Sequence, residues 1–253
     1  MDDAGLLRYS RQIMLPELDM AGQEAIGHAH VLIVGLGGLG SPAALYLAAA
    51  GVGQLTLADD DHVDLTNLQR QILHGTADLE RPKTDSARDR LQALNPEPRL
   101  VTINQRLEGD VLERAVAAAD VVLDGTDNFA TRFAVNAACV AQRRPLVSGA
   151  AIRLEGQLGV FRPDLDEGPC YACLFPEDAA NAPRETCSET GVLGPVVGVI
   201  GSLMALEALR LITGFGEPAT GRFTAWDARS GEWQGFRVGR DPACGVCGRP
   251  SDT

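Results

Sequence analysis

Three observations in the sequence predict an α/β fold built on a doubly wound, mostly parallel sheet. An apolar strand, Val31–Val34, breaks into Gly35-Leu36-Gly37-Gly38-Leu39-Gly40 and is followed by the helix-forming run Pro42–Ala50. A second strand, Gln54–Ala58, ends in Asp59-Asp60-Asp61, roughly twenty residues past the glycine turn, where an acid suits a pair of ribose hydroxyls. Strand and helix patterns then alternate as far as Ser148, the signature of parallel βαβ units.

The elements follow in order. Leu6–Gln12 reads as a short helix, and a second short helix lies near Gly22–Ile26. After the βαβ unit comes a polar connection, Val63–Gln71. Pro82-Lys83-Thr84 then opens an amphipathic helix that Asn95-Pro96 ends. Strands follow at Arg99–Ile103 and Asp120–Leu123, the latter running into Asp124-Gly125-Thr126-Asp127-Asn128. A helix from Phe129 to Gln142 and a strand at Leu146–Ser148 complete the alternation. Ligands in such sheets bind beyond the carboxyl ends of the strands, where Gly37, Asp59 and Asp127 all fall.

From Ala150 the texture changes. Leu154–Phe161 reads as hairpin strands, 162–189 as a loop rich in Pro, Cys and charge, and Val196–Ile212 as one long apolar helix. Short strands near Phe223–Trp226 and Trp233–Val238 precede the tail. The expected fold class is thus a Rossmann-like doubly wound sheet extended by antiparallel C-terminal strands, as a single domain over 1–253.

Composition excludes several functions. A net charge of −12 argues against nucleic-acid binding, which needs clustered Lys and Arg. The start, Met1-Asp2-Asp3, is acidic where a secretory signal is basic. The longest apolar run, Val192–Leu206, is broken by Gly, Pro and Ser and reads as too short for a bilayer. A cytoplasmic protein is expected, and a reducing compartment turns cysteines toward metals or reactive thiols.

Cys170-x-x-Cys173 and Cys244-x-x-Cys247 are the sharpest signal. Each pair can put two thiolates on one metal, and two pairs complete a tetrahedral zinc site with no open position, hence a structural one. The competing readings are redox pairs or free thiols. The zinc would pin the tail, 241–249, to the loop near Cys170. Cys139 falls on a helix pattern and reads as a core residue, and the four histidines show no ligand spacing.

The glycine turn and Asp59 alone fit an NAD-dependent oxidoreductase about as well as an ATP enzyme. Arg70 and Lys83 tip the balance, because cations for phosphate oxygens with an Asp127 carboxylate for magnesium make a phosphate clamp that hydride transfer does not need. The apolar Leu65 and Leu68 suggest a loop folded on the body that aims Arg70 inward.

The sequence resembles the ThiF/MoeB/HesA family, bacterial relatives of ubiquitin-activating enzymes. The motifs that carry the likeness span nearly the whole chain. They are Arg8-Tyr9-Ser10-Arg11-Gln12, Gly35-x-Gly37-Gly38-x-Gly40, Asp59-x-Asp61-x-Val63-x-x-x-Asn67-Leu68-x-Arg70-Gln71, Pro82-Lys83, Asp124-x-x-Asp127-Asn128 and the two cysteine pairs. No rhodanese-like stretch follows Cys247, so a fused sulfurtransferase is not expected. The resemblance implies ATP-dependent adenylation of the C-terminal glycine of a small ubiquitin-like sulfur carrier of the MoaD or ThiS type, ending in Gly-Gly.

By the same resemblance, Gly38 lends backbone to the nucleotide, Asp59 holds the ribose, and Thr66, Asn67, Leu68, Gln69, Arg70 and Lys83 surround the phosphates. Asp127 would hold magnesium, with Asn128 beside it, and Arg11 would reach the partner subunit's ATP in a homodimer. Nucleotide binding is expected from about 28–150, and carrier and zinc binding from about 151–253. Cys187 aligns with a cysteine that some relatives use for a thioester or persulfide, fed by a sulfur donor such as a cysteine desulfurase. Thr186-Cys187 and Gly191–Pro195 lean toward the molybdopterin branch over the thiamine branch. A non-catalytic carrier-binding scaffold is the remaining alternative, and the presence of every nucleotide-contacting residue type speaks against it.

Overall fold

The computed structural model describes residues 1–176, 190–216 and 220–248. Two short helices, α1 (Asp3–Arg8) and α2 (Ser10–Ile13), and the longer α3 (Asp19–His28) lead into β1 (His30–Val34). Then come α4 (Gly40–Ala50), β2 (Gln54–Ala58), α5 (Lys83–Leu94), β3 (Arg99–Ile103), α6 (Gly109–Ala118), β4 (Val121–Asp124), α7 (Phe129–Ala141) and β5 (Leu146–Ile152). The rest comprises β6 (Glu155–Phe161), α8 (Tyr171–Leu174), α9 (Gly194–Thr213), β7 (Arg222–Asp227) and β8 (Glu232–Arg237).

One eight-stranded sheet runs in the order β3-β2-β1-β4-β5-β6-β7-β8. The five strands β3 to β5 are parallel, and β6, β7 and β8 add on antiparallel. This is the expected architecture. In β1, alternate residues serve opposite layers. Val31 and Ile33 face α4, α5 and α9, whereas Leu32 and Val34 face α6 and α7. Both faces are covered, so the strand reads as continuously apolar rather than alternating.

Strand order reverses between β1 and β4, and register places the site there. Val34 pairs with Ala58 on one side and with Asp124 on the other. Gly35, Asp59 and Gly125 therefore emerge side by side at the carboxyl ends. Gly35 turns with φ of +87°, and a Cβ there would meet the Gly125 carbonyl at 3.2 Å. Only glycine fits both the left-handed backbone and the close approach.

Two expectations need correction. Helix α6 was given no element, although its buried Leu112 and Val116 repeat at the helical spacing of four. The apolar run held too short for a bilayer belongs to the 20-residue α9, which by length and composition could cross one. Pro sits in its first turn, where a missing N–H is harmless, and Gly194 and Gly201 allow close approach to the Gln69 and Leu39 carbonyls, so the apparent breaks do not shorten it. Here α9 lies on β5 and β6 and against α4, its Val196, Val197, Ile200 and Met204 buried in the core.

Candidate nucleotide site and candidate metal centre

A cleft of about 710 Å³ opens over the carboxyl ends of the strands. Its floor is the glycine turn. A Cβ on Gly38 would come within 3.0 Å of Val197 on α9, so the bare backbone is what lets turn and helix meet. Asp59 stands at the end of β2, its Oδ2 accepting from the Leu36 amide at 2.7 Å and its Oδ1 from the Asp61 amide at 2.9 Å. Burial raises the Asp59 pKa, while Lys83 and these two amides pull the other way.

Lys83 opens α5 and is buried, 3% exposed, with Nζ donating to Asp61 Oδ2 at 2.8 Å. A buried ammonium is costly unless paired, and its carboxylate partner is itself largely in solvent. The cation thus keeps reach into the cleft. Arg70, also in the wall, donates from Nη1 to the Thr66 carbonyl at 3.0 Å and from Nη2 to Asn67 Oδ1 at 3.1 Å. Those bonds aim the guanidinium. Leu65 does not, because it sits on a short 3₁₀ turn and is 66% exposed, which corrects the expectation that it folds onto the body. Gln71 completes this wall. Its Oε1 is buried with no hydrogen-bond partner among the described residues, as expected of a surface shaped to hold something else.

Across the cleft, Asp127 is exposed after β4. Asn128 caps α7, its Oδ1 accepting from the Thr131 amide at 2.9 Å. Beneath them lies a network the sequence reading missed. Asp124 is fully buried and accepts from the Thr126 amide at 3.0 Å, the Thr126 hydroxyl at 2.6 Å and Ser148 Oγ at 3.1 Å. Arg132, buried on α7, donates to Ser148 Oγ at 3.2 Å and the Gly149 carbonyl at 2.8 Å, and also to the Thr126 carbonyl. It ties β4, α7 and β5 under the loop that presents Asp127. A signal existed, since Arg132 sits four residues after Asn128 as the one charged residue of α7.

The cleft gathers Gly38, Asp59, Asn67, Arg70, Lys83, Asp127 and Asn128. It does not gather Thr66, Leu68 or Gln69, which lie on the outer side of the same turn. Arg11 is exposed on α2, donating to the Met14 sulfur at 3.8 Å, and does not line the cleft. Cys187 lies outside the described residues. Cations on one wall, a carboxylate on the other and bare glycine backbone between them suit a nucleotide triphosphate with a divalent ion.

The four cysteines converge from 74 residues apart. Their sulfurs all lie within 4.8 Å of one another, with Cys170 to Cys173 at 4.0 Å, Cys170 to Cys244 at 3.7 Å and Cys173 to Cys247 at 3.4 Å. Tetrahedral zinc with bonds of about 2.3 Å needs sulfurs about 3.8 Å apart, so the set is compatible with zinc. Asn136 Nδ2 donates to Cys170 Sγ at 3.6 Å and the Asp241 amide to Cys173 Sγ at 3.4 Å, the kind of outer support that metal thiolates take. A thiol hydrogen bond from Cys170 pulls the Cys173 pKa down, while the same bond pushes Cys170 up and burial pushes Cys247 up, so the metal-free cluster favours charge on one sulfur over its neighbours. Cys139 is fully buried in the layer of α6 and α7, as expected of a core residue, and burial drives its pKa up.

Comparison with known proteins decides the family. The ThiF family model matches residues 9–246. The chain belongs to the ThiF family. It is 51% identical over 248 residues to the sulfur carrier protein ThiS adenylyltransferase of Escherichia coli, covering 98% of this chain and 97% of that one. To the molybdopterin-synthase adenylyltransferase of the same organism it is 49% identical over 252 residues, covering 98% and 99%. The crystal structure of E. coli MccB with succinimide superposes with a TM-score of 0.83 at 25% identity, covering 96% of this chain and 74% of that one. The first two identities lie too close together to choose between the thiamine and molybdopterin branches.

Proposed function

We propose that this protein is a nucleotidyltransferase that adenylates the C-terminal glycine of a small ubiquitin-like sulfur carrier, releasing pyrophosphate and preparing the carrier for thiocarboxylate formation. What carries the reading is the pairing of a buried Lys83 and an aimed Arg70 on one wall of the cleft with Asp127 on the other. The full-length likeness to two carrier adenylyltransferases supports the same chemistry.

A carboxylate is a weak nucleophile facing a highly anionic triphosphate, so the protein must neutralise charge and align the attack. One carboxylate oxygen of the carrier bonds to the α-phosphorus while the bond to the bridging oxygen breaks and pyrophosphate leaves. Arg70 and Lys83 take up the charge on the leaving group, and Asn67 steadies Arg70. Asp59 holds the ribose hydroxyls, and Gly38 lets the phosphates approach the backbone. Asp127, with Asn128 beside it, would hold Mg2+, which would supply further charge neutralisation. In a homodimer, Arg11 of one subunit would extend toward its partner's cleft.

The carrier tail would enter over the C-terminal strands, where Gln157 and Phe223 line the cleft. Zn2+ on Cys170, Cys173, Cys244 and Cys247 would fasten the tail beneath that entrance. Sulfur would arrive from a separate donor such as a cysteine desulfurase, with Cys187 as the residue to carry it. A cytoplasmic setting agrees with four clustered thiols in no disulfide. We read one domain with a nucleotide part, about 28–150, and a carrier and zinc part, about 151–253.

The test is ATP–pyrophosphate exchange with Gly-Gly carriers from both pathways. Wild type should exchange with at least one, and Asp127→Ala should lower the rate about a hundredfold or more. No exchange with any carrier, alongside NAD binding, would return the reading to an oxidoreductase.

A further inference from the structure

Behind the cleft wall sits a histidine that the chemistry above does not use. His74 is 7% exposed, and both ring nitrogens are engaged: Nε2 with the Leu36 carbonyl at 3.2 Å and Nδ1 with Ser86 Oγ at 2.8 Å. A carbonyl only accepts, so Nε2 carries a proton, while Nδ1 shares the Ser86 hydroxyl, which also bonds the Asp78 carboxylate. The contacts therefore fix the orientation of the ring.

The two partners belong to the two halves of the nucleotide cleft. Leu36 lies inside the glycine turn, and its amide donates to Asp59 Oδ2 at 2.7 Å. Its carbonyl also accepts from Ser41 Oγ at 3.2 Å. Ser86 lies three residues after Lys83 on α5, hence about one turn along the same face. An unbroken hydrogen-bonded chain runs Asp59, Leu36, His74, Ser86, and ends on the helix that presents the buried ammonium. We infer that His74 is a positioning residue: it ties the glycine turn to α5 and so fixes the spacing between the ribose anchor Asp59 and the phosphate anchor Lys83. This rests on the nucleotide reading of the cleft.

The surroundings favour that role over acid–base work. Lys83 faces the ring from α5, Asp78 from its own segment, and Asp59 lies across the turn. Asp78 is already occupied by the Gly75 amide at 2.9 Å, Arg81 at 2.7 Å and the Ser86 hydroxyl. Burial pushes the His74 pKa down and Lys83 adds to this, against the Leu36 carbonyl and Asp78. The neutral ring is the folded form at ordinary pH. Protonation would place a second cation beside Lys83.

The experiment compares ATP affinity by calorimetry and the KM and kcat for ATP in pyrophosphate exchange, using the full chain and the variants His74→Phe, His74→Gln and Ser86→Ala. Gln can place its amide near Nε2 and still donate to the Leu36 carbonyl. Losing a buried hydrogen bond of this kind corresponds to about a tenfold loss. His74→Phe should weaken ATP binding about tenfold and raise KM more than it lowers kcat, with His74→Gln recovering most of the loss. Ser86→Ala, which removes a single oxygen, should fall between wild type and His74→Phe, and it keeps the test alive if His74→Phe does not fold. His74→Gln as impaired as His74→Phe, or wild-type affinity in His74→Phe or Ser86→Ala, would overturn the proposal alone. A wild type that binds no ATP would overturn the nucleotide reading and the proposal with it.

Discussion

Around Asp124, the parallel half of the sheet organises its charges with protein groups alone. A fully buried carboxylate is answered by two hydroxyls, an amide and the Arg132 guanidinium nearby. The C-terminal half has no comparable network among the described residues. Every residue of β8 is exposed, Trp233 stacks on Trp226 at 5.1 Å, and an aromatic series from Tyr171 through Phe175 and Phe223 to Phe236 lines this side. The tail meets the body at the four sulfurs and through Arg240, which donates to the Asp166 carbonyl. One region buries a charge among groups that answer it; the other ends in an exposed edge strand with aromatic side chains. That contrast fits a fixed nucleotide site beside a surface left free for a protein partner.

Breaking the fastening should have the largest effect. If the four cysteines hold zinc as proposed, wild type should carry it and the double variant Cys244→Ser/Cys247→Ser should not, measured by metal analysis. The variant should also lose about 4 kcal/mol of unfolding free energy if the clip acts like any cross-link closing so long a loop. ATP affinity should stay near wild type, because the parallel half does not depend on the tail. A variant that keeps its stability would mean the tail is held by packing rather than metal.

Arg132→Leu tests the other side of the comparison. It strands the Asp124 carboxylate in a dry site, which costs about 3 kcal/mol when one partner of a buried pair is removed. Chemical denaturation should show that loss. Double replacement of Asp124 and Arg132 by apolar residues of similar volume should recover part of it, and failure to recover would mean that the network does more than satisfy its own charge.

The smallest effect concerns Asp59. Its folded pKa lies above its unfolded one, chiefly through burial. The folded chain therefore takes up the proton first as pH falls. The Asp59 contribution to stability grows on acidification and is lost as pH rises through the folded pKa. ATP affinity should move the opposite way, since a neutral carboxyl is a poorer acceptor for ribose hydroxyls. Melting temperature and ATP affinity, followed from neutral pH into the upper carboxylate range in wild type and Asp59→Asn, should diverge in wild type and not in the variant.

Much of this was legible in the chain. Periodicity and punctuation located β1, α4, β2, α5 and α7 within a residue or two, because each has a regular apolar spacing and a Gly, Pro or Asn beside one of its ends. The glycine turn, Asp59, Lys83 and the paired cysteines were readable because their spacing is itself the chemistry. The sequence left α6 unassigned, since a Gly-Asp start hid a short amphipathic run. It took Leu65 as a packing residue, because hydrophobicity alone does not say which way a 3₁₀ turn faces.

Local order thus determined the βαβ pattern, the ligand types and the candidate anchors, all of which depend on neighbours a few residues apart. Only the tertiary structure decided that Arg132 from α7 braces Asp124 from β4 against Ser148 from β5, and that His74 reaches both Leu36 and Ser86. It also set the distance, 3.7 Å, at which Cys244 meets Cys170 across 74 residues, a meeting that the paired motifs already imply. Such pairings depend on which strands lie side by side, and that is settled when the whole sheet buries its two apolar faces at once.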